Sequence, residues 1–253
     1  MKIYQLLFLG TVTLPLFLGC ETMSQIASNM PNTTTGTTRP STTGSVTQTE
    51  AATGIKQALG NGLNNSINAL SIKDGFLGNA AVKILMPAEA QQVEKTLRSI
   101  GMGSLVDNFV TSLNRAAESA VKEAAPVFVN SLSQMTVTDA FSILLGAQQD
   151  AATTFFKRTT SATLASKFSP IVESALGKNN VSTYWTQLTS AYNNLPITSN
   201  KVTTDLNAYV TQKAIDGLFV KVAEEELKIR QNIGGSRNTG MLQKVFGWVD
   251  AQK

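Results

Sequence analysis

The chain has 253 residues, of which 42% are hydrophobic and only 15% are charged, and its formal net charge is +4 at pH 7. It contains no histidine and one cysteine, which excludes serine–histidine triads, histidine-bound zinc and an internal disulfide. The charged fraction is below the ~25% of an average protein, so the surface is a poor match for nucleic acid.

Residues 1–19 have the pattern of a bacterial lipoprotein signal peptide. Lys2 provides a positive start, and an apolar run follows it as far as Cys20. This run is short for a transmembrane helix, which needs ~20 apolar residues, and suits a signal peptide. Phe17 and Leu18 depart from the leucine and small residue usual before a lipidated cysteine. We expect cleavage before Cys20 and its modification with palmitate-type acyl chains.

The lipidated cysteine predicts the location of the protein. Two or more acyl chains on Cys20 give stable attachment to a membrane. In Gram-negative lipoproteins an Asp after the cysteine favours the inner membrane, but here the residue is Glu21. We therefore expect an outer-membrane lipoprotein that faces the periplasm, with the periplasmic face of the inner membrane as the alternative. Residues 20–52 are rich in Thr, Ser and Asn and predict a flexible tether.

Residues 53–253 have helical apolar spacing almost throughout, and strictly alternating β-branched runs are missing. This pattern predicts an all-α fold, with a single multi-helix bundle domain after the signal peptide and the disordered tether. The apolar face of the first helix consists of Leu59, Leu63, Ile67 and Leu70.

Prolines and capping residues predict helix boundaries in the middle of the chain. Pro126 should kink or divide one helix, and Pro170 should interrupt a later one. Thr136 or Thr138 can cap a short helix, and Asp150 can cap the helix that follows it.

The longest helical pattern runs over residues 202–231. It has two adjacent apolar rows, which indicate a helix covered on a wide face near the centre of the bundle. The rows are Leu206, Val210, Ala214, Leu218 and Val222, and beside them Ile215, Phe219, Ala223 and Leu227.

Three consecutive carboxylates near the end of this helix invite an acid–base proposal. Neighbours on a helix point about 100° apart, so these groups do not converge on one reacting atom. The spacing instead predicts three surface ion pairs: Glu224 with Lys228, Lys221 with Glu225, and Glu226 with Arg230. We interpret the segment as a solvated face, and its candidate role is a partner-binding face formed by Glu224, Glu225, Glu226 and Arg230.

Ser119 and Lys122 have the Ser-x-x-Lys spacing of the nucleophile in penicillin-recognising enzymes. Those enzymes also require a Lys-Thr-Gly sequence, which occurs nowhere in this chain. A chance match is therefore the favoured interpretation.

Two further segments are candidate ligand sites. Lys157 and Arg158 precede a Thr-Thr-Ser run that is either an anion site for a group such as a lipid phosphate or a polar turn between helices. Tyr184, Trp185 and Tyr192 have helical spacing and either line an apolar pocket or pack in the core.

Several motifs together resemble an uncharacterised family catalogued as domain of unknown function 4197. They are DGFL at residues 74–77, NRAAE at 114–118, MTVTDA at 135–140, AATTFF at 151–156, and the run from 205 through 224–226 to 247. The resemblance covers residues 55–247 and implies an exported, helical protein of Gram-negative bacteria. It implies no activity and no site residues.

These observations predict a lipid-anchored periplasmic envelope protein that is a non-enzymatic binding or interaction module, without cofactor or metal. Its expected partners are the membrane, through Cys20, and an envelope protein or lipid, but not nucleic acid. One alternative is a carrier that holds an apolar ligand such as a lipid between its helices. A second alternative is a hydrolase that uses Ser119 and Lys122.

Overall fold

The computed structural model describes residues 45–178, 180–194 and 205–252. These residues form helices and no strand, so the all-α prediction is confirmed. The predicted signal peptide, the predicted lipidation site Cys20 and the first part of the predicted tether lie outside the described residues. The α-helices are α1 (Gln48–Ser71), α2 (Gln91–Ser99), α3 (Gly103–Val121), α4 (Ala124–Gln134), α5 (Val137–Leu145), α6 (Ala151–Lys178), α7 (Val181–Asn193), α8 (Leu206–Gln231) and α9 (Gly240–Asp250).

Helix α1 begins at Gln48, so residues 48–52 are helical, and their assignment to the tether is wrong. A capping box sets this start, because Thr47 Oγ1 accepts from the amide of Glu50 at 3.2 Å and the Glu50 carboxylate accepts from the amide of Thr47 at 3.0 Å. Ala51 and Ala52 in the first turn are buried. These two alanines therefore belong to the core, although the segment around them is polar.

Helix α8 lies at the centre of the bundle and packs against α6, α1 and α3. Most of the residues in its two predicted apolar rows are buried, and the helix ends at Gln231 as predicted. The predicted face of α1 is also buried. Both results follow from apolar spacing alone, since a stripe at helical period must face the core.

The two prolines behave differently. Pro126 lies in the first turn of α4, after α3 has ended at Val121, so the predicted division is confirmed. The predicted interruption at Pro170 is wrong, because α6 runs continuously through it. Pro170 lies on the exposed face of α6, whereas Phe168 and Val172, two residues before and after it, are fully buried. Packing of these residues keeps α6 helical despite the lost amide donor.

The segment between α1 and α2 approaches α8 very closely at Gly217. A Cβ atom on Gly217 would lie 2.7 Å from Cε1 of Phe76 and 3.2 Å from Cβ of Val82. Phe76 is fully buried, so its ring cannot swing aside into solvent. The absence of a side chain at Gly217 is therefore what lets the segment pack on α8.

Gly217→Ala should lower the free energy of unfolding by roughly 1–3 kcal/mol through overpacking. The control is Gly247→Ala on α9, where an added Cβ meets nothing within 4 Å, and which should leave stability unchanged or raise it by ~1 kcal/mol. Urea denaturation of both variants measures the difference. Equal stability of the two variants would contradict the close approach at Gly217.

Candidate functional site

The carboxylate of Glu226 on α8 is buried and binds the start of α6. It accepts hydrogen bonds from the amides of Ala152 at 2.9 Å and Thr153 at 2.8 Å, and from Thr153 Oγ1 at 2.8 Å. These donors belong to the first turn of α6, where backbone amides lack helical partners and the helix dipole favours a negative charge. Asp150 directly precedes α6, and its carbonyl oxygen accepts from the amide of Thr154 at 2.8 Å. The side-chain bonds to the first-turn amides come from Glu226 instead.

Arg230 completes this ionic clamp. Its guanidinium donates to Glu226 at 2.7 and 3.0 Å and to the carbonyl oxygen of Ile143, near the end of α5, at 2.8 Å. The predicted Glu226–Arg230 pair is confirmed, but its position on a solvated surface is wrong. Both side chains are largely buried, because α5 and α6 cover this part of α8. Neither residue is therefore available to a candidate partner-binding face.

The other two predicted ion pairs have the wrong partners. Glu224 pairs with Lys221, and Glu225 pairs with Lys228 at 2.6 Å, each three residues apart. Asn65 on α1 also donates to Glu225 at 3.0 Å, which draws this side chain toward α1. Burial raises the pKa of Glu225, but the hydrogen bonds from Lys228 and Asn65 outweigh it and hold the pKa below its usual value.

A second buried clamp holds the segment between α1 and α2 on α3. Glu118 accepts from the amides of Phe76 at 3.2 Å and Leu77 at 3.4 Å. Asn114 accepts from the amide of Ile84 at 2.9 Å and donates to its carbonyl oxygen at 2.8 Å. Two of the motifs that carry the family resemblance, DGFL and NRAAE, therefore meet each other in a structural contact.

The structure does not bring Ser119 and Lys122 together as a nucleophile and its base. The hydroxyl of Ser119 donates to the carbonyl oxygen of Arg115 at 2.9 Å, within α3. Lys122 is exposed at the end of that helix. Ser119 borders a cavity of about 450 Å³ together with Pro170, Ser174 and other residues of α6, and Lys122 does not line it.

The aromatic residues of α7 pack against the core. Trp185 stacks on Phe109 of α3 with 5.3 Å between ring centroids and 25° between planes. Tyr184 and Tyr192 are half-buried against the same core. These rings join α7 to the bundle, which is the simpler of their two interpretations.

Lys157 and Arg158 lie inside α6, so the predicted polar turn is wrong. The two cationic side chains contact different aromatic rings. The ammonium of Lys157 lies 5.9 Å from the ring centre of Phe219, and the guanidinium of Arg158 lies 5.8 Å from that of Phe155. Arg158 lines a cavity that has a volume of about 260 Å³ and opens between α4, α5 and α6, and Lys157 does not line this cavity.

We call this cavity the polar groove. Its polar lining residues are Asn130, Ser131 and Gln134 from α4, Asp139 from α5, and Arg158, Thr159, Thr160 and Thr163 from α6. Val127 and Phe155 add apolar surface. Of these residues, the sequence pointed to Arg158, Thr159 and Thr160, which lie together on α6. Periodicity identifies the faces of single helices, but a site formed by three helices depends on how they pack.

Asp139 keeps its charge in the groove. Hydrogen bonds from the side chain and amide of Thr136 lower its pKa below the usual value, and the nearby positive charge of Arg158 acts in the same direction. Asp139 and Thr136 also form the capping box of α5, which confirms Thr136 as the predicted cap. The groove therefore contains one anion and one cation.

Within the described residues, no cluster of three or more histidine, cysteine, aspartate or glutamate side chains is arranged to hold a metal ion. Among the same residues, no helix combines the length and the hydropathy that crossing a membrane requires.

Glu226→Gln should lower the free energy of unfolding by roughly 3 kcal/mol or more, because it leaves the largely buried Arg230 without its counter-ion. The matched control is Glu224→Gln, which removes a carboxylate whose side chain is 40% exposed and should cost less than ~1 kcal/mol. Guanidinium denaturation compares the two variants. Similar losses in both would show that Glu226 has no special structural role.

Comparison with known proteins gives one match. No curated protein and no solved structure matches the chain. A family of unknown function matches residues 45–247, from the cap of α1 into α9. This match includes both buried clamps and the polar groove, and it covers more than half of the chain. The protein therefore belongs to the family described as protein of unknown function, DUF4197.

Proposed function

We propose that this protein is a lipid-anchored envelope protein whose helical domain is a non-enzymatic binding module, and that the polar groove is its binding surface. The observation that carries the proposal is a contrast between two kinds of polar group. Glu226, Arg230 and Glu118 are buried and bound within the fold. Arg158, Asn130 and Gln134 are exposed along a cavity.

The anchoring part of the proposal is supported by the signal peptide and Cys20. We place the lipid on Cys20 and the domain in the periplasm at the outer membrane, with the inner membrane as the alternative. The tether separates the anchor from the capping box at Thr47, where α1 starts. Because the tether is rich in polar residues, it lets the domain reach a partner away from the bilayer.

The two alternative functions have weaker support. A lipid carrier needs an apolar cavity between helices, but Trp185 is stacked on Phe109. A hydrolase based on Ser119 needs a base beside the hydroxyl, but that hydroxyl donates to a helix carbonyl.

Cys20→Ala should abolish the incorporation of a labelled palmitate analogue, because the chain has no other thiol to which the lipid can be attached. Glu21→Asp should leave incorporation intact and move the protein toward the inner membrane in density-gradient fractions. Metabolic labelling and membrane fractionation measure the two effects. Normal acylation of Cys20→Ala would overturn the lipoprotein assignment, and unchanged fractionation of Glu21→Asp would overturn the sorting by Glu21.

A photo-crosslinking amino acid at Asn130, exposed in the polar groove, should give a discrete crosslinked product in intact cells. The control position is Gln243, exposed on α9, a helix that packs on α1. The product should be absent there, and Arg158→Gln should reduce it at Asn130. Identical patterns at both positions, or no product at either, would overturn the groove as the binding surface.

A further inference from the structure

We infer that the polar groove binds a neutral polyhydroxylated ring, such as one saccharide unit of an envelope glycan. This inference rests on the proposed function, since it names the ligand of the same groove. It follows from three properties of the groove: its mixture of donors and acceptors, its balance of charge, and its size.

The groove offers donors and acceptors side by side. Arg158 is a pure donor, ionised Asp139 is a pure acceptor, and the side-chain amides of Asn130 and Gln134 can do both. Gln134 Nε2 donates to Asn130 Oδ1 at 3.4 Å, which leaves the Asn130 amino group and the Gln134 oxygen to face a ligand. Within the described residues the Arg158 guanidinium has no hydrogen bond and rests over the ring of Phe155. Both bonds from Thr136 end on Oδ2 of Asp139, so its other oxygen keeps its acceptor capacity. Vicinal hydroxyl groups, which donate and accept, match this arrangement.

The charges in the groove disfavour an anionic ligand. Arg158 would attract a phosphate or carboxylate, but the ionised Asp139 lines the same cavity and would repel it. Lys157 does not add a second positive charge, because its ammonium lies near Phe219 instead. A neutral ligand can bind to Arg158 and Asp139 at once, whereas an anion can use only one of them.

The size of the groove agrees with a single ring. Its volume of about 260 Å³ lies just below the ~300–1,000 Å³ of pockets for drug-sized ligands. Half-buried Phe155, whose ring also carries the Arg158 guanidinium, and the edge of buried Val127 supply a small apolar surface beside the polar groups. Most of the other lining side chains are polar, which does not suit an acyl chain.

Two sources of such a ring exist in the proposed location, namely the glycan strands of the cell wall and the saccharide part of lipopolysaccharide. The experiment uses the full mature protein in detergent micelles. Calorimetric titration with N-acetylglucosamine oligomers tests the shared chemistry. Co-sedimentation with purified cell-wall sacculi and binding to lipopolysaccharide-containing vesicles distinguish the sources.

The expected result is saturable binding to the oligomers and to one of the two larger probes. Arg158→Gln should weaken it at least about tenfold, as expected for loss of a hydrogen bond from a charged group. Lys157→Gln removes the same charge one residue away and should change the affinity less than about twofold. Circular dichroism of both variants checks that the helices are retained.

Asp139→Asn distinguishes saccharide binding from anion binding. It should weaken saccharide binding, because a charged acceptor is lost, whereas it would strengthen the binding of inorganic phosphate. Phosphate binding strengthened by this variant, without saccharide binding, would overturn the inference in favour of an anion. If no saccharide probe binds while Asn130 still crosslinks to a discrete product, the inference fails and the proposed function stands. If no saccharide probe binds and Asn130 gives no crosslinked product, both the inference and the proposed function are overturned.

Discussion

The carboxylate of Glu226 accepts hydrogen bonds from the first amides of α6, and its counter-ion Arg230 binds the carbonyl oxygen of Ile143 in α5. A single turn of α8 thus positions two other helices. An uncompensated charge at this depth would be strongly destabilising, so Glu226 and Arg230 each need the other as a counter-ion. Because α5 and α6 form two of the three walls of the polar groove, the shape of the groove depends on this clamp.

Residues within the motifs that carry the family resemblance also make internal contacts. Glu118 and Asn114 satisfy backbone groups of the segment between α1 and α2, and Arg237 after α8 donates to the carbonyl oxygens of Ile229 and Arg230. Buried polar groups must be paired, and here the charged side chains of Glu118 and Arg237 and the neutral amide of Asn114 supply the pairing where the backbone leaves its helices.

The groove shows the opposite use of polar residues. Its serine and threonine hydroxyls are partly engaged, since Ser131 and Thr159 are 3.0 Å apart and Thr159 donates to the carbonyl oxygen of Phe155. The side chains of Asn130 and Arg158 are exposed to solvent beside these hydroxyl groups. Internal hydrogen bonds, including the one from Gln134 to Asn130 at 3.4 Å, hold the side chains around Arg158 in place. Such pre-organisation reduces the entropy lost when a ligand binds.

The sequence by itself determined the all-α class, the central place of α8, the cap at Thr136 and the division at Pro126, because each depends on spacing or bonds within a few residues. The capping box at Thr47 was equally local and readable, although the polar composition around it favoured a tether. Only the tertiary structure decided that Glu226 is buried, that α6 continues through Pro170 and that a groove exists. Glu226 and Ala152 are separated by 74 positions in the chain, and no periodicity within one helix encodes a contact between two.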